Sequence, residues 1–271
     1  MSLGLLIDLD GTLYRGQQEI TGARDFVARL NERGCPHLFL TNNATRTHQQ
    51  AASFLQDVHE IAVRPDQFYT SVDALLAQLD RDGRELNGRD VYVIGAPYLK
   101  DSLRQAGAHI YDQAGHSEKE TVDLVIMGLD QGVCYGQLAQ ACKFIEAGSQ
   151  FYLTNPDVQY PEANYFVPGA GALADMVSQV TGQAPTTCGK PSPAIVDGAI
   201  DKLGLAKHQV YILGDNLTTD IQAGINAGVK TIHIGTGVHQ QADQTKLGIQ
   251  ADYYVQDYQE LDQLWQKLVT I

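Results

Sequence analysis

Short apolar runs that end in clusters of turn-forming polar residues recur along the whole chain. Leu5-Leu6-Ile7 runs into Asp8-Leu9-Asp10-Gly11-Thr12, Leu38-Phe39-Leu40 into Thr41-Asn42-Asn43, and Val210-Tyr211-Ile212-Leu213 into Gly214-Asp215-Asn216. Continuous apolar runs of this length, bounded by turn residues, fit strands buried on both faces of a parallel sheet. Helical patterns fall between them. Thr21 is placed to cap a helix that ends at Gly34, and Leu75, Leu76 and Leu79 share a face of another that starts near Ser71. A second alternating series opens at Val91-Tyr92-Val93-Ile94. A helix past Pro97 follows, then strand 124–127, a helix from about 136 to 147, strand 151–153 and a helix from about 171 to 181. Ser192-Pro193 has the form of an N-cap and first-turn proline, and Asp257 with Glu260 has capping-box spacing for a last helix. Strand and helix alternate throughout, without repeats or low-complexity segments, so the fold class is α/β with a doubly wound parallel sheet.

In open sheets of this kind ligands bind outside the carboxyl ends of the strands. The three polar clusters, far apart in sequence, can therefore meet at one site, and Gly189-Lys190-Pro191 can bring a lysine to it. One distance then decides the domain organisation. Between Thr41 and Lys190 lie 148 residues, whereas a strand–helix–strand unit needs only about 30. The excess carries its own strands and helices, which makes it an inserted domain rather than a loop. We place it at 87–185, with 1–86 and 186–271 forming one discontinuous core.

Composition narrows the function classes. A formal charge of −13 argues against nucleic acid and against an anionic membrane surface, both of which are bound through lysine and arginine. Positive charge for an anionic phosphate must then be built locally, from a metal, a lysine and helix amino ends. Cys35, Cys134, Cys142 and Cys188 show no zinc-site or C-x-x-C spacing and fit reduced, buried thiols in a cytoplasmic protein. No apolar stretch approaches the roughly 18 residues of a membrane span.

The site chemistry follows from the residue types. Asp8 and Asp10, two apart at a strand end, have a spacing that points both carboxylates the same way. One carboxylate can attack phosphorus and form an aspartyl-phosphate, while the other protonates the leaving oxygen and later activates water. Asp215 offers an oxygen ligand, and Mg2+ suits a site of few carboxylates and several waters. Thr41 and Asn42 can donate to phosphate oxygens, and Lys190 can neutralise charge in the transition state. Asp220 can cap the next helix or hold Asp215 and Lys190 from behind. Taken singly, Asp-x-Asp-Gly is an ordinary turn, Thr41-Asn42-Asn43 a capping loop and Lys190 a surface lysine. Gly169-Ala170-Gly171-Ala172-Leu173-Ala174 matches a dinucleotide fingerprint, but its preceding strand is weak and no acidic residue lies about 20 positions on.

Jointly the clusters are far more specific. The sequence resembles the haloacid dehalogenase (HAD) superfamily over essentially its whole length, with the four motifs in order as Asp8-x-Asp10-Gly11-Thr12, Thr41-Asn42, Lys190 and Gly214-Asp215-x₄-Asp220. Thr41-Asn42-Asn43-Ala44-Thr45, Thr154-Asn155-Pro156-Asp157, Pro168-Gly169-Ala170-Gly171-Ala172-Leu173 and Gly189-Lys190-Pro191-Ser192-Pro193 are similar to segments of its NagD-like, nitrophenylphosphatase-like branch. The resemblance implies a Rossmann-like core carrying an inserted α/β cap of type C2, and a Mg2+-dependent phosphatase acting on a small phosphorylated metabolite. It assigns Asp8 as nucleophile and metal ligand, and Asp10 as acid/base and backbone metal ligand. Asp215 becomes a metal ligand, Asn216 and Asp220 their supports, and Thr41, Asn42, Asn43 and Lys190 ligands of the phosphate. Asn155 and Asp157, with Tyr160 nearby, are the cap residues expected to choose the leaving group. Substrates of the nucleotide, sugar-phosphate, phosphoglycolate, pyridoxal-phosphate and nitrophenyl-phosphate types stay open, as does oligomeric state, with a homodimer one option. The rival readings are a phosphotransferase or mutase using the same aspartyl-phosphate, and a non-catalytic or nicotinamide-binding module.

Overall fold

The computed structural model describes residues 3–113, 119–161 and 165–270. In chain order the first elements are β1 (Gly4–Ile7), the short hairpin β2 (Tyr14–Arg15) and β3 (Gln18–Glu19), α1 (Ala23–Glu32), β4 (His37–Thr41), α2 (His48–His59) and β5 (Phe68–Thr70). Then come α3 (Ser71–Arg81), β6 (Asp90–Ile94), α4 (Pro97–Gln105), β7 (His109–Tyr111), β8 (Leu124–Met127), α5 (Tyr135–Glu146) and β9 (Gln150–Leu153). These are followed by β10 (Gln159–Pro161), β11 (Phe166–Pro168), α6 (Ala170–Thr181) and β12 (Thr186–Thr187). The chain closes with α7 (Pro193–Leu203), β13 (Val210–Gly214), α8 (Gln222–Ala227), β14 (Lys230–Ile234), α9 (Gln241–Leu247), β15 (Tyr253–Val255) and α10 (Tyr258–Thr270). No helix among the described residues is long and apolar enough to cross a membrane.

The chain divides into two compact units. The first comprises Met1–Thr41, His48–Tyr69 and Lys190–Ile271, and the second Asn42–Thr47 and Thr70–Gly189. The first unit carries the six-stranded sheet β15-β14-β13-β1-β4-β5. Strand β1 pairs in parallel with both β13 and β4, so Ile7 stands opposite Leu213 on one side and Phe39 on the other. Every residue of β1, β4 and β13 is buried, as strands covered on both faces require. Leu5, Ile7, Phe26, Phe39, Phe68, Leu213 and Trp265 share its core. The second unit has a five-stranded sheet, β12-β9-β8-β6-β7, parallel in each pairing. Its core joins Tyr92, Ile94, Val125, Met127, Phe144 and Leu153.

Helix starts show where local signals met tertiary geometry. Ser192 accepts from Ala194 N at 3.3 Å, with Pro193 in the first turn of α7. Helix α1 begins instead after Gly22, at φ 87°, without a side-chain cap. A left-handed residue leads into this helix rather than the extended N-cap that would let Thr21 accept. At α10, Asp257 accepts from Glu260 N at 3.0 Å, but Glu260 reaches back to Gln256 N at 2.8 Å, one residue earlier than a capping box requires. Asp220 does not cap α8: Asn216 caps a wide π-helical turn, 217–221, that contains it, and accepts from Thr218 N at 3.0 Å. The thiols also differ from expectation. All four cysteines are free, but only Cys188 is buried and Cys134 is exposed.

Candidate active site

The centre of the first unit's sheet places the site. Because β1 lies between β13 and β4, the chain leaves three neighbouring strands at one edge, at Asp8, Asp215 and Thr41. The Asp8 amide continues the ladder, donating to Leu213 O at 2.9 Å. The chain then turns sharply. Leu9 O accepts from Leu13 N at 2.7 Å, Gly11 N donates to Tyr14 O at 2.7 Å, and Gly11 itself sits at φ 86°. The two aspartates of the first cluster therefore differ: Asp8 is buried and Asp10 exposed. The strand has ended before Leu9, so the two-residue period does not govern them.

Three carboxylates and one ammonium form a buried cluster. Lys190 is 3 % exposed. Its Nζ donates to Asp8 Oδ1 at 2.5 Å, to Asp220 Oδ1 at 2.7 Å and to Leu40 O at 3.2 Å. Asp8, Asp215 and Asp220 each present an oxygen within 4.8 Å of the others. Thr12 is shared between two of them, with its hydroxyl 3.2 Å from Asp8 Oδ2 and 3.3 Å from Asp215 Oδ1. Asp220 is held at both oxygens, its Oδ2 accepting from Asn216 N at 3.0 Å.

One lysine does not neutralise three buried carboxylates. Burial, followed by the charges of Asp220 and Asp215, pushes Asp8 well above the usual carboxylate range against the pull of Lys190. Burial and Asp220 likewise push Asp215 up to about 7, although the Val238 amide and Lys190 favour its anion. For Lys190 burial disfavours the ammonium, but Asp220 and Asp8 outweigh it and hold the proton more tightly than in a free lysine. A buried set of hard oxygen donors with excess negative charge fits a small divalent cation.

Other segments shape this cluster without having been singled out from the sequence. Val238 N donates to Asp215 Oδ2 at 2.6 Å, and a Cβ on Gly237 would lie 1.9 Å from that oxygen. Thr236 Oγ1 donates to Gly11 O at 2.8 Å, and the Arg15 guanidinium donates to Thr236 O. Tyr258, from α10, donates its hydroxyl to Thr12 O at 2.8 Å. Gly235-Thr236-Gly237 does follow an apolar strand, Ile232–Ile234, so the strand-end signal was present there; Tyr258 carried none.

Of the remaining expected residues, Thr41 belongs to the first unit and Asn42, Asn43, Asn155, Asp157 and Tyr160 to the second. Thr41 is buried at the end of β4. Asn43 Oδ1 accepts from both the amide and the hydroxyl of Thr45 at 2.8 Å, forming an Asx turn. Asn42 Nδ2 donates to Asp157 Oδ1 at 3.1 Å and lies 3.3 Å from Oδ2, while Asn155 Nδ2 donates to Asn42 O at 3.0 Å. Asn42, Asn155 and Asp157 are thus brought together, and Tyr160 is half-buried on β10.

Comparison with known proteins identifies the family. Residues 5–109 match the haloacid dehalogenase-like hydrolase family, and residues 187–261 a HAD-hydrolase-like family. The acid sugar phosphatase of Staphylococcus aureus is 41 % identical over 94 % of this chain and 95 % of its own length. Among solved structures, a thermostable NPPase from Geobacillus stearothermophilus is 36 % identical, with a TM-score of 0.83 over 94 % of this chain and 96 % of that one. NagD from E. coli K-12 is 30 % identical, with a TM-score of 0.84 over 95 % and 98 % of the two chains.

Proposed function

The chain belongs to the haloacid dehalogenase-like hydrolases as a phosphatase of the NagD-like branch, and from that premise we propose that it hydrolyses small sugar phosphates with Mg2+ through an aspartyl-phosphate on Asp8. One observation carries the reading: the Lys190 ammonium is held between Asp8 and Asp220 inside a buried cluster of three carboxylates. A lysine so placed lowers the charge facing an incoming phosphate and keeps the nucleophile oriented. The sugar-phosphate choice is supported by the 41 % identical acid sugar phosphatase. Cytoplasmic residence is supported by the four free thiols.

The residues divide the work as follows. Asp8 attacks phosphorus with one carboxylate oxygen, and the bond from phosphorus to the leaving oxygen breaks. Asp10, exposed two residues along the turn, gives that oxygen its proton. It then takes a proton from the water whose oxygen attacks the phosphoenzyme. Phosphate leaves and the Asp8 carboxylate is restored. Thr41, the adjoining Asn42 and Lys190 hold the phosphate oxygens. Asp8, Asp215 and the backbone of Asp10 would hold Mg2+, which supplies charge neutralisation for the phosphoryl group in flight. The inserted segment 87–185 contains none of these groups and is assigned to selecting the leaving group. Phosphate release across a panel of monoesters, with Mg2+ and with chelator, tests the reading. Sugar phosphates turned over only with metal are the expected result, and full turnover after exhaustive chelation would overturn it.

A further inference from the structure

Tyr258 lies outside the four motifs and meets the carboxylate cluster through one intermediary, Thr12. We infer that Tyr258 is a positioning residue: by holding the Thr12 carbonyl it aims the Thr12 hydroxyl between Asp8 and Asp215, and so keeps both carboxylates arranged for a divalent cation. The inference rests on the phosphatase reading, in which Asp8 and Asp215 hold Mg2+. All four residues belong to the first compact unit.

The partners fix the direction of the first hydrogen bond. A carbonyl oxygen only accepts, so the 2.8 Å contact commits the single proton of the Tyr258 hydroxyl to Thr12 O. Burial, followed by the charges of Asp8 and Asp215, makes the phenol hold that proton more tightly than a free tyrosine does. At the other end of the same residue, Thr12 Oγ1 lies 3.2 Å from Asp8 Oδ2 and 3.3 Å from Asp215 Oδ1. Thr12 is β-branched, so its χ1 is stiff and its hydroxyl follows the backbone. Holding the carbonyl therefore holds the hydroxyl. Asp8 in turn is gripped at both oxygens, Oδ1 by Lys190 and Oδ2 by Thr12, which sets the plane of its carboxylate.

Tyr258 is itself anchored. It opens α10 at 2 % exposure, where Asp257 accepts from the amides of Gln259 and Glu260 at 2.9 and 3.0 Å. Its ring centroid lies 5.6 Å from that of Phe26 on α1. A Cβ on Gly22 would fall 2.8 Å from the Tyr258 Cβ, so the left-handed glycine that leads into α1 also makes room for the tyrosine. The turn after β1 is thus held at two successive carbonyls by segments from late in the chain. Thr236 Oγ1 donates to Gly11 O at 2.8 Å, and Tyr258 to Thr12 O. Gly11 has no side chain to aim; Thr12 has.

Calorimetric titration of Mg2+ into the parent, Tyr258→Phe, Thr12→Val and the double variant tests this as a cycle. Tyr258→Phe deletes one oxygen and keeps the ring against Phe26, while Thr12→Val keeps the shape of the branch. Such losses are small against the stability of a domain, and thermal melts set a titration temperature at which all four proteins are folded. Tyr258→Phe is expected to weaken Mg2+ binding roughly tenfold, the lower end of what a change behind a metal ligand costs. Its kcat on p-nitrophenyl phosphate should fall with KM little changed. In the Thr12→Val background Tyr258→Phe should add nothing to the loss of Mg2+ affinity, whereas Thr12→Ser, which keeps the hydroxyl, should stay sensitive to it. Parent-like Mg2+ affinity in Tyr258→Phe, or an equal loss with and without the Thr12 hydroxyl, would overturn the inference and leave the phosphatase reading intact. Should Tyr258→Phe not fold, Thr12→Val decides alone: parent-like Mg2+ affinity without that hydroxyl would overturn the inference. A parent protein that binds no Mg2+ would instead overturn the metal assignment, and the inference with it.

Discussion

Asp8 and Asp10 share a motif and a side-chain type but not an environment. Asp8 is buried and in contact with Lys190 and Thr12, whereas Asp10 is exposed. Their losses should therefore differ in kind. Asp8→Asn is expected to lower turnover roughly 10³-fold or more on every substrate, because the amide cannot form the acyl-phosphate. Asp10→Asn is expected to cost about 10²- to 10⁴-fold with alkyl phosphates, whose leaving group needs a proton, and much less with nitrophenyl phosphate. Steady-state rates on the two ester classes check both; equal losses for Asp10→Asn would remove it as general acid. A third residue acts from outside the motifs. Gly237 leaves the Asp215 carboxylate no room for a Cβ, which would stand 1.9 Å from Oδ2. Gly237→Ala should weaken Mg2+ binding by about 10- to 100-fold, as changes behind a metal ligand do. Calorimetric titration of Mg2+ into the folded variant measures it.

At the scale of elements, the strand ends matter more than the strands. The loop after β14 clasps Asp215 through Val238, while Asp252 ties β14 to the start of β15. Its carboxylate accepts from Lys230 Nζ at 2.5 Å and from the Thr231 amide at 2.9 Å. Burial opposes the anion, but the Lys230 and Thr231 hydrogen bonds outweigh it and hold the Asp252 carboxyl below its usual 3.8. A value lowered by folding contributes stability at pH above the unfolded value, and that contribution disappears as pH falls through the folded one. Asp252→Asn should therefore cost about 1 kcal/mol at pH 7. The difference from the parent should shrink as pH drops below 3.8, as urea unfolding at the two pH values can show. The helix starts teach the same lesson in reverse. Ser192-Pro193 is locally sufficient, whereas Thr21 is bypassed by Gly22 at φ 87°.

For the whole molecule, the assigned metal ligands Asp8, Asp10 and Asp215 all belong to one compact unit, the one that includes Met1–Thr41 and Lys190–Ile271. Mg2+ at about 100 times its dissociation constant should then stabilise that unit by about 2.7 kcal/mol. Amide exchange should slow in β1 and β13 and stay unchanged in β6 and β8, which belong to the other unit. Equal protection of both sheets by Mg2+ would show that the metal couples the two units, contrary to the assignment.

Much of this protein was legible in its sequence because strand ends advertise themselves. An apolar run that stops at Asp8, Thr41 or Asp215 states both a buried parallel strand and a polar group at its carboxyl end, and the order of these clusters carried the family resemblance. The sequence also implied a long insertion between Thr41 and Lys190, since no crossover connection needs the 148 residues that lie between them. It did not determine the environments. Burial of Asp8 beside an exposed Asp10 depends on a turn that ends the strand before Leu9. The clasp of Val238 and Gly237 on Asp215 and the Tyr258 hydroxyl on Thr12 link residues more than 20 positions apart. The pairing of Asn42 with Asp157 spans 115. Periodicity reports which face of an element is buried; which carboxylate meets which donor is decided only when distant elements pack.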